Sequence, residues 1–231
     1  MSAHAVRTGV WFIGARGSVA TTATAGCAAV AAGLHPAAGM VTETAPFADS
    51  GLPPVTSLVF GGHDTLDCPL PKRAEALAAG GVLPHGLPSA VRAELAAADA
   101  EIRPGGPVPG DTRTDEELIT AFAADLTDFG RRNDLARTVV VNVSSTEPAP
   151  APDAERLPAS SLYAAAALRA GCPYVNFTPS TGLRAPALQD AGGGAGRPGT
   201  PAPGPPPPPP PLPRGGAPVW WRAPPPPARG R

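Results

Sequence analysis

Four β-branched or aromatic residues, VWFI at positions 10–13, run directly into Gly14, and from residue 18 to residue 32 the chain is alanine-rich and helix-compatible until Gly33 closes it. A buried strand, a glycine turn and a helix start, in that order, leave few architectures open. They form the opening unit of a nucleotide-binding α/β fold, in which the turn gathers backbone amides at one end of a sheet.

The elements that follow alternate in the same sense. Residues 57–60 (SLVF) read as a second buried strand running into Gly61 and Gly62, with a short strand at residues 40–42 and a proline-marked loop before it. Residues 71–80 and 88–100 each read as an alanine-rich helix begun near a proline. Glycines and prolines at 104–110 then force a loop. Thr114 and Glu117 have the spacing of a capping box, and Leu118, Phe122, Leu126 and Phe129 recur every three or four positions, so an amphipathic helix follows. The valine run at 138–143 (TVVVNV) suits a parallel strand covered on both faces. Residues 160–170 predict another helix, 173–177 (PYVNF) another strand, and 183–190 the start of one more helix. The expected fold is therefore α/β, a doubly wound parallel sheet.

Composition changes abruptly at residue 191. The last 41 residues hold 16 Pro and 9 Gly, five Arg and no acid, so residues 191–231 are expected to form a disordered tail after a domain at 1–190. The body carries a net charge of −6 and the tail +5. A mildly acidic body argues against nucleic acid as a partner. Cys27, Cys68 and Cys172 are too widely spaced for a zinc site or a disulfide framework, and His4, His35, His63 and His85 are equally scattered, so no metal is expected. Residues 10–34 are apolar and small enough to imitate an export signal, but Arg16 interrupts them and their Thr, Gly and Ala content is too weakly apolar for a span of ~20 residues. A cytoplasmic protein without membrane contact is the expectation.

The segment GARGSVATT at 14–22 lies where phosphate recognition needs it. A Cβ there blocks the turn or the approach of the backbone to a diphosphate, and the free N–H groups of the helix supply positive charge. Against G-x-G-x-x-G, Gly14 fits the first position, Arg16 takes the second with Gly17 behind it, and Ala20 fits the last. No lysine follows, which excludes a Walker A loop. The same turn would also serve an α/β protein that binds no nucleotide. A dinucleotide fold further needs a carboxylate at the end of the second strand, usually ~20 residues on. Spacing favours Glu43; strand quality favours Asp64, which ends LVFGGHD. On the residues alone both stay open.

APF at 45–47, LVFGGHD at 58–64, VVVNVSSTE at 139–147 and YVNFTPS at 174–180 occur in the order seen in the myo-inositol-1-phosphate synthase (inositol-3-phosphate synthase) family, which the chain resembles over roughly residues 10–190. The resemblance implies a Rossmann-like NAD-binding domain, and it selects Asp64 as the residue facing the NAD ribose. It further implies a diphosphate loop of Gly14, Ala15, Arg16, Gly17, Ser18 and Val19. Ser144, Ser145 and Thr146 are implied beside the cofactor at one strand end, with Asn176, Thr178 and Pro179 at the next. His63 stands where the family commonly has tryptophan, and Ser18 and Val19 replace a common asparagine pair.

Members of that family convert glucose 6-phosphate to an inositol monophosphate, an isomerisation in inositol and phospholipid biosynthesis, with NAD regenerated in each turnover. Family lysines that hold phosphate and enolate charge follow the YVNFTPS-like segment, whereas Lys72 is the one lysine here and precedes it. No catalytic residue is therefore assigned, and a truncated, inactive form is expected. The family's substrate and oligomerisation region is expected to be absent, with the tail an out-of-frame reading of a GC-rich gene. Two alternatives remain. One is a fragment of another NAD-dependent oxidoreductase. The other is a non-catalytic nucleotide-binding module whose seven prolines at 205–211 dock an aromatic groove.

Overall fold

The computed structural model describes residues 6–47, 50–148, 150–151 and 154–188. The chain divides into two units, Met1–Gly194 and Ala195–Arg231, and every described residue belongs to the first. The expected tail lies outside the described residues.

Five strands make one parallel sheet: β1 (Thr8–Ile13), β2 (Leu58–Asp64), β3 (Ile102–Pro104), β4 (Arg137–Asn142) and β5 (Tyr174–Asn176), in the order β3-β2-β1-β4-β5. The expected α/β, doubly wound parallel architecture is what the chain adopts, and this order is that of a Rossmann-like sheet. β1 is paired on both edges, Trp11 lying opposite Gly61 on one side and Val140 on the other. Its alternate residues must then face opposite layers. Phe12 and partly buried Val10 pack with α1 (Ser18–Ala31), α2 (Leu70–Ala79) and α4 (Arg92–Ala100), whereas Trp11 and Ile13 pack with α5 (Asp115–Arg132) and α6 (Ala159–Arg169).

The helices form for local reasons that the sequence carries. Glu117 N donates to Thr114 Oγ1 at 3.2 Å while Thr114 N donates to Glu117 Oε2 at 2.7 Å, so the capping box that starts α5 is complete. Arg131 and Arg132 occupy its last turn, where cations favour the carbonyl end. In α1 the buried hydroxyls of Thr21 and Thr24 donate to the carbonyls of Gly17 and Ala20, four residues back, which satisfies them without a partner outside the helix.

Four expectations need correction. Residues 40–42 are not a strand: a 3₁₀ turn spans Val41–Glu43, and Val41 is 63% exposed, so no sheet neighbour covers it. The helix expected at 88–100 is broken into α3 (Leu87–Ala90) and α4 at Val91 (φ −116°, ψ 27°), whose side chain is fully buried in the core. β3 lies partly in the expected loop; with only three residues it has no readable alternation, and Pro104 is tolerated because the strand is at the sheet edge. At residues 183–190 the chain makes a 3₁₀ turn, Gly182–Arg184, then a helical stretch at 186–188, and residues 189–190 lie outside the described residues.

One polar group sits in the aromatic half of the core. His63 on β2 is fully buried among Trp11, Phe122 and Tyr163. Trp11 Nε1 donates to its Nδ1 at 3.0 Å, which leaves Nε2 to donate to Asp125 Oδ2 at 3.0 Å. Burial pushes the imidazole pKa below its ordinary 6.5, outweighing the Asp125 carboxylate; Arg103 acts in the same direction as burial. The folded chain therefore refuses a proton that the unfolded chain accepts below pH 6.5, so stability must fall as pH drops through that value. Urea unfolding at about pH 7.5 and about pH 5.5 is expected to show that loss, and His63→Gln to show a smaller one over the same interval.

Phe129 packs against Trp11 with ring centroids 5.0 Å apart and planes tilted by 59°, and it is fully buried beneath the glycines of β1 and β2. Phe129→Ala is expected to cost about 3–5 kcal/mol of unfolding free energy in the same assay.

Candidate cofactor site

The strand order reverses between β1 and β4, and connections leave these strands toward opposite faces, which opens a crevice at their carboxyl ends. It encloses ≈ 540 Å³. Its walls come from the glycine loop and the ends of β2 and β4. The loop before α5 and the start of α6 complete it, and Tyr163 lies among the lining residues.

Gly14 makes this geometry possible. It sits at φ +82°, and a Cβ on it would meet Ser144 Cα at 2.8 Å, so both the turn and the approach of β4 exclude a side chain. Its N–H and that of Ala15 both donate to His63 O, at 3.0 and 3.2 Å, which carries the β1–β2 ladder past the strand end. Gly17 is the N-cap of α1 and has no side chain to cap it, so the first amides of that helix open toward the crevice beside Ser18 and Val19. That end carries partial positive charge.

Asp64 ends β2, next to β1, and therefore stands beside the loop. Its Oδ2 accepts from Arg16 N at 2.6 Å and its Oδ1 from Leu66 N at 2.8 Å, so two backbone amides orient the carboxylate at the rim. Glu43, the rival candidate, belongs to the 3₁₀ turn and to no strand. Of the expected loop residues, Gly14, Gly17, Ser18 and Val19 line the crevice, whereas Ala15 is buried in the core and the Arg16 side chain turns away to Asp99 and to the carbonyl of Leu66.

Ser144 and Ser145 line the opposite wall, and Thr146 is exposed just beyond it. Asn142, fully buried at the end of β4, accepts from Ser144 N and Oγ and donates through Nδ2 to Asn176 Oδ1 at 3.1 Å and to Thr178 Oγ1 at 3.4 Å. Asn176, Thr178 and Pro179 do not line the crevice. They surround a separate hollow of ≈ 370 Å³ with Tyr174 and Arg184, joined to the crevice wall through Asn142.

Several lining residues had not been singled out: Gly106, Pro107, Glu147, Ser160 and Tyr163; His63, noted only as a departure from the family, lines it too. Glu147 accepts from the N–H and hydroxyl of Ser160 and from Thr181 N, which caps the start of α6 and holds it against the loop after β5. Tyr163 accepts from Gly106 N at 2.8 Å, and burial raises its pKa, so the phenol keeps its proton. The one available signal was the polar Ser160, Ser161 and Tyr163 on an otherwise apolar helix, all of which are buried.

A second hollow of ≈ 410 Å³ lies at the opposite ends of the strands, lined by Arg7, Cys27, Phe60, Glu94 and Glu101 among others. Burial raises the Cys27 pKa, which leaves that thiol protonated and unreactive. All three cysteines are free. Among the described residues no group of three or more His, Cys, Asp or Glu side chains could hold a metal ion, and no helix is long and apolar enough to cross a membrane.

Compared with known proteins, residues 8–154 and 148–195 match the family model of the NAD-binding domain of myo-inositol-1-phosphate synthase. A search of curated protein sequences finds no match. Among solved structures the chain is similar to inositol-3-phosphate synthase from Caenorhabditis elegans, with a TM-score of 0.61 at 19% identity, over 78% of this chain and 46% of that one. At that identity the likeness speaks for the fold alone, and the chain spans less than half of that protein's length. The family match, which runs through the glycine loop, the Asp64 strand end and the β4 wall, shows that the chain belongs to the myo-inositol-1-phosphate synthase family and carries its NAD-binding domain.

Proposed function

We propose that NAD lies along the crevice, with its diphosphate against the start of α1 and its adenine ribose at Asp64. The observation that carries this reading is the apposition at one strand end of a turn whose Gly14 has no room for a Cβ, an uncapped helix start and an oriented carboxylate. In this reading the amides of Ser18 and Val19 at the start of α1 hold the diphosphate, while those of Gly14, Ala15, Arg16 and Gly17, bonded to His63 O, Asp64 Oδ2 and Gly14 O, hold the loop in shape beneath it. Asp64 accepts from the ribose hydroxyls. Ser144, Ser145 and Thr146 flank the other half of the cofactor. Asn142 steadies that wall by holding Ser144 against the strand end carrying Asn176, Thr178 and Pro179. When bound, NAD supplies a hydride acceptor. The protonated Tyr163 phenol and the tethered Glu147 bound the same space and keep it shaped.

The parent activity is proposed from family membership: isomerisation of glucose 6-phosphate to an inositol monophosphate in the cytoplasm, in a homo-oligomer. Residues 1–190 are taken as the NAD-binding domain and 191–231 as a tail. That chemistry needs cations for the sugar phosphate and for enolate charge. Among the described residues neither lysine nor arginine lines the crevice, and Lys72 is exposed on α2. This chain by itself is therefore read as a binder of the cofactor and not as a complete catalyst.

Calorimetric titration of the full chain with NAD is expected to give saturable binding, and Gly14→Ala to weaken it at least tenfold because the new Cβ displaces the Ser144 backbone. Loss of binding in neither protein, or binding in neither, counts against the site. Incubation with NAD and glucose 6-phosphate is expected to yield no inositol phosphate; turnover would refute the reading of an incomplete catalyst.

A further inference from the structure

Arg16 is the one cation in the glycine loop, and its peptide N–H holds the Asp64 carboxylate. Its guanidinium runs back along the loop that follows β2. Nη1 donates to the carbonyl of Leu66, two residues past Asp64, at 2.8 Å, and Nε donates to Asp99 Oδ1 at 3.0 Å. The same Asp99 oxygen accepts from Leu70 N, the first residue of α2, at 3.0 Å. The pair is four-fifths buried, with side chains 18% and 20% exposed. A cation thus lies beside the acid assigned to the adenine ribose, pinned and neutralised by a second acid from α4.

We infer that Asp99 is a specificity-determining residue: by neutralising and anchoring Arg16 it denies the adenine-ribose end of the crevice a free cation and makes the site select NAD over its 2′-phosphorylated counterpart, NADP. This rests on the placement of NAD proposed above. A 2′-phosphate brings negative charge to the position that Asp64 faces, and an arginine at that position is the usual means of accepting it. Here the arginine is present but committed. Two carboxylates accompany one cation, Asp99 on the Arg16 guanidinium and Asp64 on the Arg16 peptide N–H, so the charge beside the ribose position is negative although a phosphate-binding side chain is within the loop. Because the pair is largely shielded from solvent, screening by salt does little to release Arg16.

Asp99→Asn separates charge from shape. The amide oxygen still accepts from Leu70 N and Arg16 Nε, so the start of α2 and the loop keep their bonds, while the negative charge is gone. Titration of the full chain with NAD and with NADP, before and after this substitution, reads the ratio of the two dissociation constants. In Asp99→Asn the preference for NAD is expected to fall roughly tenfold, chiefly through tighter NADP binding. In the double variant Arg16→Ala with Asp99→Asn the gain is expected to vanish, since it acts through the guanidinium. An unchanged ratio in Asp99→Asn, with NAD still bound, overturns this inference alone, as does a gain that survives Arg16→Ala. Absence of NAD binding by the unmodified chain overturns the cofactor placement and the inference with it.

Discussion

β1 is hydrogen-bonded along both edges and covered on both faces, and the rest of the molecule follows from that. With both edges taken, the chain can leave the strand only by turning sharply, and β4 comes so near that the turning residue must lack a side chain. Gly14 meets both demands. Its amide and that of Ala15 then extend the ladder onto His63 O, which fixes where α1 begins relative to the end of β2. Gly62 serves the same closeness from the other side, since a Cβ on it would collide with the Phe12 carbonyl and the Ala15 side chain. The crevice is thus a consequence of how the three central strands end.

Charge in and around the crevice is arranged against the bare expectation for a phosphate site. Among the described residues its lining contains Asp64, Glu147 and the buried His63 and neither lysine nor arginine. In the proposed placement, attraction for a diphosphate comes chiefly from oriented peptide groups, which need no counter-ion and impose a direction. Of the arginines nearby, Arg16 is committed to Asp99 and the Leu66 carbonyl, whereas Arg73 donates to the hydroxyl of Ser18, a lining residue, from behind the crevice wall. Such a site recognises by geometry more than by net charge.

The aromatic layer behind the crevice couples it to stability. Trp11, His63 and Asp125 form a chain of hydrogen bonds from the sheet to the exposed side of α5, and Tyr163 stacks on Phe122 while bonding to Gly106 on the rim. His63 touches both the core and the crevice. A histidine held neutral there is compatible with close packing, whereas the charged form would lack a second acceptor, because Nδ1 already accepts from Trp11.

By itself the sequence determined the parts whose cause is local. The strand, glycine and helix at 10–32, the Thr114–Glu117 box and the valine run of β4 were all legible because hydrogen bonding and side-chain period within one segment decide them. The glycine turn after β1 and the position of Asp64 at a strand end were legible for the same reason, whereas that Glu43 ends no strand was decided by the pairing of β2 with β1. Only the tertiary structure decided the rest. Val91 breaks its helix because the core draws the side chain in, and β3 exists because β2 offers an edge to a segment too short to show a period. Tyr163, Gly106 and Glu147 reach the crevice from segments far apart in the chain. Asn176, Thr178 and Pro179 fall around a neighbouring hollow because Asn142 holds them one strand away. Contacts between distant segments leave no periodic trace in either one, so distance in space, not pattern in sequence, assigns those residues.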